Sequence, residues 1–152
     1  MQGPRLSVKA IIIRDGMILT MHGVDDWGDY YLLPGGGQNR GETAHEALQR
    51  ECLEEIGTGV VVHELRLVRE YVAAHHEFAA AEPGLHQVEL MFRCSLPEGA
   101  RPRVGSSPDV NQVSVQWLEL RRLQEYRLYP RSLRSVFQDL DSANRVYFGD
   151  VN

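Results

Sequence analysis

The sequence predicts an α/β domain built as one sheet with two helices layered on either side. Short runs rich in β-branched and aromatic residues recur along the chain, bounded by glycine, proline and aspartate. Two segments with helical signals interrupt them, one in the first half and one near the C-terminus. Strands and helices that each carry one apolar face bury them economically in layers. A length of 152 residues fits a single domain over 1–152 that buries roughly two thirds of its unfolded surface.

Residues 8–13 and 17–21 are β-rich and flank Arg14-Asp15-Gly16, where Asp-Gly marks a tight hairpin turn. Residues 30–33 form a third predicted strand, which runs through Pro34 into a glycine loop, Gly35-Gly36-Gly37. Thr43 with Glu46 three residues on matches a capping box, and Gly57 suits a left-handed position after a helix, so a helix is predicted over 43–56. Residues 60–72 alternate imperfectly and predict a long, bent strand; 86–96 and 113–118 predict two more. Turn formers dominate the breaks at 73–85 and 97–112. Pro130 opens a second predicted helix through Leu140, and 146–148 closes as an edge strand. No repeat or low-complexity segment is present.

The first helix carries chemistry that folding alone does not require. Glu51, Glu54 and Glu55 stand at i, i+3 and i+4, on the arc that Ala44, Ala47 and Leu48 occupy one or two turns earlier. Acids rarely end an apolar stripe. Like charges at i,i+4 repel by roughly 0.2 to 0.5 kcal/mol even when exposed, and a helix C-terminus favours cations instead. A bound Mg²⁺ or Mn²⁺ would reverse these penalties, because clustered carboxylates are the ligand set of a hard ion. A solvated acidic face, or glutamates paired with Arg50 and other arginines, stays open as the alternative. The glycines before the helix favour the first option, since Gly35, Gly36 and Gly37 let backbone groups approach an ion or a phosphate closely.

Read as Gly36, five residues, Glu42, seven residues, then Arg50-Glu51-Cys52-Leu53-Glu54-Glu55-Ile56-Gly57-Thr58, the segment resembles the Nudix box, GX5EX7REUXEEXGU, with U a bulky aliphatic. All seven fixed positions match, an agreement expected by chance at roughly 10⁻⁸ per starting position from background composition. The departures are Cys52, a small hydrophobe, and Thr58, a polar one. The resemblance implies an α/β/α sandwich around a mixed sheet and the hydrolysis of a nucleoside diphosphate linked to another moiety, with Mg²⁺ or Mn²⁺. It implies Glu51 and Glu55 as metal ligands, Glu54 as ligand or base, and Gly36 as a backbone carbonyl ligand. Arg50 then positions a box carboxylate, while Glu42 binds a second ion or pairs with Arg50.

Outside the box, Glu77, Glu82, Glu89, Glu98 and Asp109 are candidates for an additional acid. His75-His76 could meet phosphate, and Trp27, Tyr30 or Tyr31 could stack on a base; Trp27 and Tyr31 are the residues assigned to substrate, with Gly35 and Gly37. Tyr71 reads as a strand residue. The family's proline marker of ADP-ribose hydrolases is missing at 72–75, as are the SQPWPF-type signature and the coenzyme A motif. A nucleoside triphosphate, oxidised ones included, is therefore preferred over ADP-ribose, a nucleotide sugar or a dinucleotide. A non-catalytic nucleotide sensor on the same fold and a partner-binding domain are the other classes.

A net charge of −5 supplies no basic stripe, which argues against a nucleic-acid polymer and leaves a small nucleotide as partner. Apolar runs such as 10–13 are too short for a bilayer, residues 1–7 lack a signal-peptide pattern, and Cys52 and Cys94 have no metal or disulfide spacing. The cytoplasm is the expected compartment, with the chain a monomer or homodimer.

Overall fold

The computed structural model describes residues 2–152; Met1, where the stretch 1–7 begins, lies outside them. Strand β1 (Arg5–Arg14) turns into β2 (Met17–Asp25) through Asp15 at φ 53° and Gly16 at φ 73°. Two left-handed residues match the twist of a hairpin, which explains the Asp-Gly pair. β3 (Gly28–Leu32) follows, and the glycine triplet forms a strand of its own, β4 (Gly35–Gly37), antiparallel to β1. This corrects the expectation of a loop. Pairing needs only backbone groups, and a side chain on Gly35, at φ 139°, would overlap the Val8 carbonyl oxygen.

Helix α1 (Ala44–Ile56) starts at the expected cap. The Thr43 hydroxyl accepts from the Glu46 N–H at 3.1 Å, the Glu46 carboxylate accepts from the Thr43 N–H at 2.8 Å, and Gly57 closes at φ 71°. Then come β5 (Val61–Val72), β6 (His86–Ser95), β7 (Gln112–Glu119), β8 (Leu128–Tyr129), α2 (Arg134–Gln138) and β9 (Tyr147–Asp150). β5 is bent by register shifts between Val62 and Leu67. The second helix is much shorter than predicted. Pro130 sits in extended conformation at ψ 132°, so only a 3₁₀ turn over Arg131–Leu133 precedes five α-helical residues, and Asp139 at φ −143° ends them. β8 and the 3₁₀ turn at Leu120–Glu125 carry no sequence signal strong enough to predict them.

The sheet order is β8-β3-β2-β1-β6-β5-β9, with β4 also on β1 and β7 also on β2. β1–β6, β3–β8 and β5–β9 are parallel and the other pairs antiparallel, a mixed sheet. β1 gives one edge to β6; on the other, β4 takes Ser7–Lys9 and β2 takes Ile13–Arg14. The sheet therefore forks beside Lys9, and the fork opens the cavity described below. Alternation along β1 sends Val8, Ala10 and Ile12 to a core closed by Ala47, Leu48, Cys52 and Ile56 of α1. Ile11 faces the opposite core, closed by Leu123, Leu133, Phe137 and Leu140. This is the α/β/α layering expected. Among the described residues no helix is long and apolar enough to cross a membrane.

With only five residues, α2 depends on side-chain anchoring rather than its own hydrogen bonds. Phe137 is fully buried. Phe137→Ala should cost about 3–5 kcal/mol, measured as a lower urea midpoint at unchanged m-value.

Candidate active site

Helix α1 delivers its acids to the fork. Glu55 is 2% exposed, and its Oε2 accepts the Gly35 N–H at 2.8 Å. Burial pushes its carboxyl up to about 8 against the opposing pull of Lys9 and the Gly35 amide, with Asp109 and Glu51 adding repulsion. Glu51 lies against Gly36: a Cβ built there would stand 2.6 Å from its carboxyl carbon. One on Gly37 would stand 2.6 Å from Nε of Arg5. Each glycine therefore makes room for something specific: β1 backbone at 35, an acid at 36, a cation at 37.

Which carbonyls face outward follows from register. The Ala10 N–H bonds to the Pro34 carbonyl at 2.8 Å and the Gln38 N–H to the Leu6 carbonyl at 3.0 Å. Bonded and non-bonded pairs alternate on an antiparallel ladder, so Gly36 bonds to Val8 between them, and the carbonyls of Gly35 and Gly37 turn away from β1. Gly35 O accepts from Lys9 Nζ at 3.2 Å, and Gly37 O from Arg50 Nη2 at 2.9 Å. This moves the outward carbonyl beside Glu55 from Gly36, where the sequence placed it, to Gly35.

Arg50 binds the cluster together. Nε and Nη2 grip Glu42 at 2.6 and 3.0 Å, while Nη1 meets Glu51 at 2.9 Å and Glu54 at 3.4 Å. The guanidinium, helped by the Asn39 amide at 2.9 Å, holds the Glu42 carboxyl down to about 2. Of the two roles open for Glu42, the structure shows the pairing. Among the described residues no three acidic, histidine or cysteine side chains stand as a ready metal cage. The donors nevertheless fit a hard cation. Glu51 and Glu54 already share one guanidinium nitrogen, Glu55 has no cation among its hydrogen-bond partners, and Gly35 offers an outward carbonyl.

Of these groups, Gly35, Glu51 and Glu55 line a cavity of about 550 Å³ together with Gly36, while Glu42, Arg50 and Glu54 stand behind its wall. Its far side is aromatic, with Trp27, Tyr30, Phe78 and Tyr129 in the wall. Arg127 is fixed there by Asp25, with bonds of 2.8 and 2.5 Å, and lies 5.6 to 5.8 Å from the centroids of Tyr129, Tyr30 and Trp27. Tyr31 is absent from this wall. Adjacent strand residues point to opposite faces, so Tyr31 stacks on His22 at 5.1 Å and joins the α2-side core.

The NUDIX domain model matches residues 3–140. The chain belongs to the Nudix family. Comparison with curated proteins finds no match. Similar solved structures include a Nudix hydrolase from Nitrosomonas europaea, at TM-score 0.73 and 18% identity over 95% of this chain and 93% of that one. A MutT Nudix hydrolase from Burkholderia pseudomallei is 25% identical, at TM-score 0.65 over 88% and 96% of the two chains. An ADP-ribose pyrophosphatase from Streptococcus suis is 18% identical, at TM-score 0.66 over 97% and 100%. As a Nudix hydrolase the chain is an enzyme of phosphoric anhydride bonds, and enzymes of this family generally use a divalent metal.

The candidate acids outside the Nudix box separate cleanly. Glu82, Glu89 and Asp109 line the cavity, whereas Glu77 and Glu98 do not. Burial alone would raise the Glu89 carboxyl, but Arg69, at 2.8 Å, and Lys9 outweigh it and hold it below its usual value. Glu82 accepts the Tyr71 hydroxyl at 2.8 Å. His75 and His76 both bind Asp150 at 2.7 Å, outside the cavity wall. Sequence reasoning missed Arg5, Lys9, Arg127 and Tyr129, placed by long-range strand pairing, and Phe78, placed by a turn, its ring packed on Trp27 and Tyr129; none has a local motif.

The folded Nudix domain keeps a proton on Glu55 that the unfolded chain, at its ordinary 4.5, releases. Unfolding free energy should therefore fall as pH rises from about 4.5 towards about 8. In EDTA, urea denaturation at pH 5.5 and pH 8 should show this loss in the wild type, and Glu55→Gln should remove most of it.

Proposed function

We propose that the chain hydrolyses a nucleoside triphosphate, oxidised ones included, to the monophosphate and pyrophosphate with Mg²⁺ or Mn²⁺. One observation carries this: a single cavity joins Glu51, Glu55, Gly35 and Gly36 to a wall of aromatic rings around a fixed guanidinium. Phosphates and a base are the two halves of a nucleotide, and each finds its chemistry at one end.

Trp27, with most of its surface exposed, and the Arg127 plane offer faces on which a base can stack. Tyr30 takes the place assigned to Tyr31. Glu51, Glu54 and Glu55, with the Gly35 carbonyl, hold the divalent ion, which when bound neutralises phosphate charge and acidifies a water. Arg50 positions the acids by tying Glu51 and Glu54 to Glu42 and to the glycine strand. Glu54 has the weakest tie, at 3.4 Å, and is the carboxylate best able to take the proton as the water oxygen bonds to phosphorus and the anhydride P–O bond breaks.

The test is a panel of nucleoside triphosphates, oxidised triphosphates, ADP-ribose, nucleotide sugars and dinucleotides with Mg²⁺ or Mn²⁺, read by pyrophosphate and monophosphate release. Triphosphates should lead; turnover confined to the other classes would overturn the assignment. Glu54→Gln should lower kcat by roughly 10²–10³-fold at unchanged thermal stability, and equal kcat would remove Glu54 from the chemistry.

A further inference from the structure

Two of the four cations in the cavity wall are matched. Arg69 bonds Glu89 at 2.8 Å, and Arg127 bonds Asp25 at 2.5 Å. Arg5 and Lys9 differ: both line the cavity, and among the described residues neither forms an ion pair with a carboxylate. They lie on one face of β1, four residues and about 13 Å apart along the strand. Lys9 Nζ reaches only the Leu33 and Gly35 carbonyls, at 3.4 and 3.2 Å, and keeps one of its three donors uncommitted. The Arg5 guanidinium lies across Gly37, in space a side chain there would fill.

The two cations thus bracket the glycine strand while Glu51 and Glu55 approach it from α1. In a chain of net charge −5, two cations that line a cavity without a direct salt bridge among the described residues favour a ligand of dense negative charge.

We propose that Arg5 and Lys9 form a phosphoryl-binding rail along the glycine strand, gripping non-bridging oxygens of the substrate without the divalent ion. The rail rests on the polyphosphate substrate proposed above and adds to it the residues that recognise the phosphates. Lys9 supplies a point charge at the Gly35 end, and Arg5 a fork of donors at the Gly37 end.

The test is calorimetric titration with inorganic tripolyphosphate in EDTA, at low salt, repeated with a methylene-bridged nucleoside triphosphate and Mg²⁺. Arg5→Met and Lys9→Met should each weaken tripolyphosphate binding by about tenfold or more. Lys9→Arg should restore part of the loss, and Arg121→Gln, an exposed cation outside the cavity wall, should match the wild type. Circular dichroism and thermal melts establish folding, and Arg5→Met, an exposed site, keeps the test open if Lys9→Met misfolds. Equal affinity for wild type, Arg5→Met and folded Lys9→Met, or an equal loss in Arg121→Gln, would overturn the rail and leave the triphosphate assignment standing. A wild type that binds neither probe would overturn both.

Discussion

The site depends on close approach at three backbone positions. Without side chains at 35–37, β4 can lie against β1 at Val8, accept the Glu51 carboxyl at Gly36 and leave room for Arg5 at Gly37. A methyl group at any of the three would push apart elements whose charged groups are useful only together. The fork in the sheet beside Lys9 follows from the same contact, because β4 occupies the edge of β1 that β2 takes further along.

Crowding acids at the C-terminal end of a helix costs free energy, and three features offset it. Arg50 spreads one positive charge over Glu42, Glu51 and Glu54. The segment after β6 gives its amides to the last carbonyls of α1: Ser107 to Glu54 at 3.0 Å, Gly105 to Glu55 at 3.3 Å and Arg103 to Ile56 at 2.9 Å. Those donors meet groups that no basic residue in the last turn serves. Glu55 is relieved differently, because burial raises its carboxyl and so favours the uncharged form.

Much of this was legible in the sequence, and the division has a physical basis. The capping box, Gly57 and the Asp15-Gly16 turn are local, set by backbone geometry within a few residues, and they appear where expected. The box acids share the apolar arc because helical spacing fixes it. What escaped depends on distant partners. The Asp25–Arg127 pair spans 102 residues, and no motif announces it. Tyr30 rather than Tyr31, and Gly35 rather than Gly36, each differ from the expectation by a single position; on a strand that reverses the direction of a side chain or a carbonyl. The second helix was over-extended because Pro130 reads as a helix opener whether or not its ψ is helical.

The segment that covers the end of α1 continues to Asp109 and Asn111 in the cavity wall. Its first part is fastened to α1, and its last part leads into β7 through Gln112, whose side chain returns to the Glu55 carbonyl at 2.8 Å. Only residues 108–111 lie between these moorings. Insertions or exchanges there could reshape what the pocket admits while the hydrolytic apparatus stays in place, so new substrates can be acquired without rebuilding the enzyme.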